Sequence, residues 1–228
     1  DCPLPLWSAD ANLDYPERVK EIHSNYIKAG SSIITANTFR STTWSYRKAG
    51  YDKFQARDKA RNSFYSANDI AQDAKTNGIQ IAHSITSVDD CYSPDKFPGK
   101  MATEDTYGEI LEWIVELEPD IILFETMGNL EEIKIGLELS ISINIPIWLS
   151  LIMKDKDHLL DGNHIMKLVQ AIPKEMVDCL LLNCNTLKIN LDAIDSLKNY
   201  WTKDWGTYPN LGKEDYGNVC RINGYREY

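Results

Sequence analysis

The chain has 228 residues, 43% of them apolar, and a formal net charge of −10 from 24 Lys and Arg against 34 Asp and Glu. A chain this acidic, with no basic cluster, would be repelled by phosphate backbones, so nucleic acid is not expected as a partner. No run reaches the ~20 apolar residues that span a bilayer, no signal peptide pattern opens the chain, and the cysteines are few and irregularly spaced. These features predict a cytoplasmic protein with reduced thiols and no membrane partner.

Segments with helical and strand patterns alternate along the chain. Helices are predicted where apolar residues recur every three to four positions, and buried strands where short apolar, β-branched runs occur. In chain order the predicted elements are helix 13–29, strand 32–36, helix 57–76, strand 79–84, helix 104–117, strand 120–124, helix 130–139, strand 147–151, helix 165–172, strand 179–182, helix 187–200 and a sixth strand at 205–208.

This alternation predicts a parallel sheet, which is either open or closed into a barrel. The least regular stretch, 86–100, contains two prolines and a glycine and follows a predicted strand. It is therefore expected to be a long loop after a strand, and in a barrel such loops lie at the catalytic face.

Polar residues come directly after three of the predicted strands. They are Asn37 and Thr38, Glu125 and Thr126, and Asn183 and Cys184. Residues in such positions can simply end a strand, but the carboxyl ends of parallel strands are also where α/β barrels place their sites. Because a carboxylate and a thiol are among them, the set favours a functional site.

Glu125 and Cys184 carry the most specific chemistry. A carboxylate after four apolar residues lies at the edge of the core and needs a partner, which is either a ligand ammonium group or a structural Lys or Arg. Cys184 is a candidate nucleophile or zinc ligand, whereas Cys179 begins an apolar run and is expected to be a small core residue. The four histidines show no metal-ligand spacing.

Taken together, the motifs resemble the homocysteine S-methyltransferase family over nearly the whole chain. The resemblance depends on several modest motifs that follow one another in the family's order. They are PLWSA at 5–9, AGSSIITANTFRST at 29–42, LFETMGNLEEI at 123–133, PIWLSL at 146–151, DG at 161–162, LLLNCN at 180–185 and WGTYPNLG at 205–212.

The resemblance implies a (β/α)8 TIM barrel enzyme that transfers a methyl group to the thiol of homocysteine and so makes methionine. It implies zinc as the cofactor, held by three cysteines, of which Cys184 matches the first. Glu125 matches the glutamate that binds the homocysteine amino group. Asn37, Thr38 and Asn183 are the other residues expected to bind substrate.

The chain also departs from the family pattern. It has no adjacent pair of cysteines, and the opening strand with its Asp–Gly turn is absent. A single barrel domain over 1–228 is therefore expected to be incomplete at both ends, with the first and last strands and two zinc ligands outside it. Cys220 is an unlikely ligand. Alternatively, 219–227 is a degenerate form of the late motif, with Tyr225 and Arg226 where cysteines would be.

The methyl donor, the alternative functions and the behaviour of these 228 residues can also be stated as expectations. Nothing in the sequence resembles a cobalamin or folate domain, so a small donor, S-methylmethionine or another sulfonium, is favoured. Two alternative functions are considered: a non-catalytic barrel that binds an amino acid without zinc, and a methyltransferase that acts on another thiol. The 228 residues alone are expected to retain little zinc and to lack activity.

Overall fold

The structure, a computed structural model, describes residues 5–210 of the chain. Its helices and strands alternate, and two short 3-10 turns at Pro94–Lys96 and Lys174–Met176 interrupt the connections. The helices are α1 (Ala11–Asp14), α2 (Pro16–Lys28), α3 (Thr43–Lys48), α4 (Lys53–Ala74), α5 (Lys100–Leu117), α6 (Leu130–Leu139), α7 (Ile165–Ala171) and α8 (Leu187–Leu197). The strands are β1 (Ile33–Ala36), β2 (Gln80–Ile85), β3 (Ile121–Met127), β4 (Ile147–Leu151), β5 (Val177–Thr186) and β6 (Asp204–Asn210).

The six strands form one parallel sheet in which each strand pairs with the next one along the chain, in the order β1 to β6. A doubly wound open sheet would reverse its strand order at a switch point, and this sheet does not. The order is that of a (β/α) barrel, of which residues 5–210 supply six strands. The six strands predicted for this chain are found, and the eight strands of a complete barrel stay a prediction.

Two apolar clusters lie on opposite faces of the sheet. The larger one packs the helices against the outer face and includes Phe64, Trp113 and Phe124. The smaller one joins Leu123 of β3 to Leu181 of β5, although these strands are not neighbours in the sheet. Side chains of separated strands can meet on one face only if the sheet curls, so the described residues form part of a barrel wall.

Every predicted strand and helix is found, and the ends differ by a few residues. Two short helices were missed, α1 with four residues and α3 with six. Thr42 caps α3 by accepting a hydrogen bond from the Ser45 backbone N–H at 3.0 Å. Strand β5 is longer than predicted, so Asn183 and Cys184 lie within it. Within residues 5–210, no helix has the length and apolar character needed to cross a membrane.

Candidate functional site

The carboxyl ends of four strands bring a set of polar side chains together at one end of the curled sheet. Hydrogen bonds connect these residues across strands β2, β3, β5 and β6. The set consists of Ser84, Glu125, Thr126, Asn183, Cys184 and Tyr208. The candidate site therefore lies where parallel barrels carry their chemistry.

Glu125 lies half-buried near the end of β3, and a hydroxyl group donates to each of its oxygens. Ser84 Oγ lies 2.5 Å from Oε2, and Tyr208 Oη lies 3.1 Å from Oε1. Burial raises the pKa of Glu125, and the two hydrogen bonds act in the opposite direction. Within residues 5–210 no Lys, Arg or His forms an ion pair with this carboxylate. The structural ion pair considered as an alternative is therefore not found there.

Cys184 lies near the end of β5, and its sulfur accepts hydrogen bonds from two side chains. Thr126 Oγ1 is 3.5 Å from Sγ, and Asn183 Nδ2 is 3.3 Å from it. The same Asn183 amide donates to Thr126 Oγ1 at 2.8 Å. These two contacts fix the position of the Cys184 sulfur beside Thr126 and Asn183.

Strand β6 closes the site on the side of β5. Tyr208 lies opposite Asn183 in the strand register, and Asn210 Nδ2 donates to the Cys184 backbone oxygen at 3.0 Å. The Tyr208 side chain is 38% exposed, so its ring forms part of the open surface while its hydroxyl group reaches Glu125. Strand β6 thus holds the Glu125 carboxylate and the backbone of Cys184.

Asn37 and Thr38 follow the end of β1, and their polar side-chain atoms are bonded within the protein. The Asn37 amide holds the N-terminal segment through Ser8 and Asn12, at distances of 2.7–2.9 Å. Thr38 is buried, and its Oγ1 lies 2.9 Å from both the backbone O and the backbone N of Ser84. Thr38 therefore positions Ser84, which contacts Glu125. The predicted contacts of Asn37 and Thr38 with substrate stay predictions.

The loop between β2 and α5 is anchored by two buried charged side chains. Arg40 Nη1 donates to the backbone oxygens of Ser87 and Asp89, and the Glu132 carboxylate accepts from the Val88 backbone N–H at 2.7 Å. Arg40 also lies 5.5 Å from the centre of the Trp7 ring. These contacts fix the long loop that the sequence predicts after the second strand.

The other described cysteines, Cys91 and Cys179, and the histidine of β2, His83, are buried. Burial raises the pKa of Cys91 to about 12 and that of Cys179 to about 11, so both thiols stay protonated at neutral pH. His83 is buried in β2 beside Asn68. Cys2, Cys220, Tyr225 and Arg226 lie outside the described residues.

A metal site needs several ligands, and the described residues do not supply a complete one. No group of three His, Cys, Asp or Glu residues within 5–210 could hold a metal ion, so the role of Cys184 as a ligand stays a prediction. A catalytic zinc takes three protein ligands. A catalytic zinc at Cys184 would therefore need ligands from outside residues 5–210.

Sequence reasoning identified Glu125, Asn183 and Cys184, and it missed the two hydroxyl donors to Glu125. Ser84 is a polar residue within an otherwise apolar strand, and its alternation with Ala82 could have placed it on the inner face. Tyr208 lies at the end of the predicted sixth strand and within the motif at 205–212, but its contact with Glu125 depends on how β6 lies relative to β3.

A curled parallel sheet with a carboxylate and a thiol at the carboxyl ends of its strands is the arrangement of a barrel-type protein with a candidate site at that end. Comparison with known families is more specific. The sequence profile described as homocysteine S-methyltransferase matches residues 1–226. The chain belongs to the homocysteine S-methyltransferase family.

Individual relatives agree with this assignment. Homocysteine S-methyltransferase 3 of Zea mays is 27% identical over 92% of this chain and 68% of its own length. Selenocysteine Se-methyltransferase of Brassica oleracea var. italica is 25% identical over 92% of this chain and 67% of its own length. The metallated form of the homocysteine methyltransferase MmuM from Escherichia coli has the same fold, with a TM-score of 0.79 at 24% identity over 92% of this chain and 78% of that one.

Proposed function

We propose that the protein transfers a methyl group from a small donor to the thiol of homocysteine and so makes methionine. Family membership supports the reaction, and the observation that carries the proposal is the state of Glu125. Its carboxylate is half-buried, accepts two hydroxyl hydrogen bonds and has no ion pair within residues 5–210. A desolvated negative charge of this kind is stabilised by a cation, and the substrate's ammonium group supplies one.

The thiol end of the substrate then belongs beside Cys184. Thr126 follows Glu125 in the chain and donates to the Cys184 sulfur, so the carboxylate and the thiol lie in one site. An amino acid with a side-chain thiol carries both complementary groups. We propose Glu125, Asn183, Asn37 and Thr38 as the substrate-binding residues, the last two acting from the end of β1.

We propose zinc as the cofactor and Cys184 as one of its ligands, with two ligands outside residues 5–210. Zinc, when bound, lowers the pKa of a coordinated thiol, which is about 8.5 when free, and so supplies a thiolate at neutral pH. Thr126 and Asn183 contribute by orienting the Cys184 sulfur, as hydrogen-bonded neighbours of metal ligands do.

The donor we propose is a small sulfonium such as S-methylmethionine. The substrate sulfur forms a bond to the methyl carbon, the bond from that carbon to the donor sulfur breaks, and the donor leaves as a neutral thioether. The substrate's thiol proton goes to solvent. A panel of S-methylmethionine, betaine and methyltetrahydrofolate at equal concentration identifies the donor.

The decisive experiment replaces Glu125 by Gln in the complete natural protein. The change keeps the shape and removes the charge, and a hydrogen bond to a charged group contributes about 1.5–3 kcal/mol. We expect KM for homocysteine to rise by about 10- to 100-fold and KM for the donor to stay the same. Glu138→Gln, on the exposed side of α6, is the matched control and should leave both constants unchanged.

The outcomes separate the proposal from its two rivals. A wild-type protein that binds homocysteine but transfers no methyl group would be a non-catalytic binding module. A protein that methylates selenocysteine or another thiol in preference to homocysteine would have a different acceptor, which the similarity to a selenocysteine Se-methyltransferase makes worth assaying. Equal KM for homocysteine in the wild type and in Glu125→Gln would refute the assigned role of Glu125.

For the architecture, we propose that residues 1–228 belong to a single barrel domain. Six strands in sequential parallel order support this proposal, because a sheet of that order curls towards closure. The two further strands of an eight-stranded barrel would lie outside residues 5–210. A crystal structure of the complete natural protein that shows an open six-stranded sheet would contradict it.

A further inference from the structure

We infer that Tyr208 and Ser84 are positioning residues that make the site selective for thiols carrying an α-amino group, an inference that depends on the proposed role of Glu125. The two residues come from β6 and β2, on either side of the strand that carries Glu125. Each donates one hydroxyl hydrogen bond to a different oxygen of the carboxylate.

The hydroxyl donors hold the carboxylate without neutralising it. A Lys or Arg in their place would form an ion pair and leave little attraction for a ligand cation. Hydroxyl groups carry no charge, so the carboxylate keeps its full negative charge for the ligand. With one donor on each oxygen, the plane of the carboxylate is also fixed before the ligand arrives, which reduces the entropy lost on binding.

The contact from Tyr208 spans the inside of the curled sheet. Strands β3 and β6 are separated in the sheet by β4 and β5, yet the phenolic oxygen lies 3.1 Å from Glu125 Oε1. The ring is 38% exposed, so it borders the open site as well as bonding to the carboxylate. Tyr208 therefore determines where the carboxylate points relative to the Cys184 side of the site.

Ser84 is itself fixed from the neighbouring strand. The Thr38 hydroxyl donates to the Ser84 backbone oxygen and accepts from the Ser84 backbone N–H, both at 2.9 Å. Because the Ser84 backbone is held in this way, the Ser84 hydroxyl oxygen lies 2.5 Å from Glu125 Oε2 in a buried contact. The two donors thus approach Glu125 from elements that cannot move independently of the sheet.

The test compares homocysteine with 4-sulfanylbutanoic acid, which is the same molecule without the amino group. Dissociation constants of both thiols are measured by calorimetry on the complete natural protein and on its variants Tyr208→Phe and Ser84→Ala. Each variant is expected to bind homocysteine about 10-fold more weakly and to bind the desamino thiol as the wild type does. Tyr26→Phe, an exposed tyrosine on α2, is the matched control and should change neither constant.

The outcomes distinguish this inference from the function on which it rests. A wild-type protein that binds neither thiol overturns the proposed function and this inference with it. A wild type that prefers homocysteine, together with variants that lose affinity for both thiols equally, overturns only the positioning role, because a damaged pocket would weaken both. Unchanged preference in both variants also overturns it. Thermal melting of each variant identifies any change that is due to unfolding.

Discussion

Two glycines within helices provide a matched test of how tightly the site-bearing strand is packed. A methyl group added at Gly136 in α6 would lie 2.7 Å from Cε1 of Phe124, whereas one added at Gly108 in α5 would have nothing within 4 Å. Neither glycine has a left-handed backbone, so alanine fits the conformation at both positions. The two substitutions therefore differ mainly in whether the added methyl group has room.

Helix propensity and packing change the free energy of unfolding of Gly136→Ala in opposite directions. Replacing Gly by Ala within a helix stabilises a protein by up to about 1 kcal/mol. At Gly136 the clash opposes this gain, because the Phe124 ring is buried and is held against Tyr107, and overpacking costs about 1–3 kcal/mol. Gly136→Ala should therefore be less stable than Gly108→Ala by about 1–3 kcal/mol.

Thermal denaturation measures the difference directly. In a protein of this size 1 kcal/mol shifts Tm by about 2–4 °C, so the two variants should differ by about 2–12 °C. Because Phe124 precedes Glu125 in β3, Gly136→Ala should also raise KM for homocysteine, while Gly108→Ala should not. Equal increases in Tm for both variants would refute the reasoning, since they would show that the Phe124 ring gives way without cost.

Other positions give sharper tests of single interactions. Burial lowers the pKa of His83 from 6.5 to about 4. As the pH falls, the unfolded chain therefore binds a proton at this residue before the folded protein does, and about 3 kcal/mol of the free energy of unfolding is lost between pH 6.5 and 4. Denaturant unfolding of His83→Gln should show a flatter pH dependence, and an unchanged slope would contradict this. Asp52 accepts hydrogen bonds from the backbone N–H groups of Phe54 and Gln55, so Asp52→Ala should cost about 1 kcal/mol, and an unaltered Tm would exclude this contribution. Cys184→Ser should remove zinc from the metal-loaded complete protein, as measured by atomic emission after dialysis, whereas the control Cys179→Ser should retain it. If both variants retain zinc, Cys184 is not a ligand.

The fold was predictable because its elements carry strong local patterns. The four residues from Ile121 to Phe124 are all apolar and face the two clusters alternately, and a short apolar run of this kind indicates a buried strand. Helix α3 was not predictable in the same way, because a helix of six residues has no room for an apolar repeat. Its existence depends on tertiary contacts, such as the hydrogen bond from Tyr46 Oη to Asp10.

The site was predictable only where its chemistry follows from position along a strand. Glu125 and Cys184 come after apolar runs, so their place at the strand ends could be inferred from the sequence. Ser84 and Tyr208 act through contacts whose partners are 41 and 83 residues away in the chain. Such contacts depend on the curl of the whole sheet, and local sequence patterns do not encode it.

The ends of β3 and β5 explain how neighbouring residues can serve one site. Successive side chains of a regular strand point to opposite faces, so Glu125 and Thr126 should not meet the same ligand. Thr126 and Cys184 instead have left-handed backbones, with φ of 59° and 54°, and the strand pairing shifts register at both places. Non-glycine residues in this conformation are strained by about 1–3 kcal/mol and persist where the surrounding structure fixes them, which is common at functional sites. Here the Asn183 amide fixes both, since it bonds to the Thr126 hydroxyl and to the Cys184 sulfur. The left-handed residues thus allow consecutive side chains of β3 and β5 to lie on the same side of the sheet. The Glu125 carboxylate and the Cys184 thiol can then contact one small molecule.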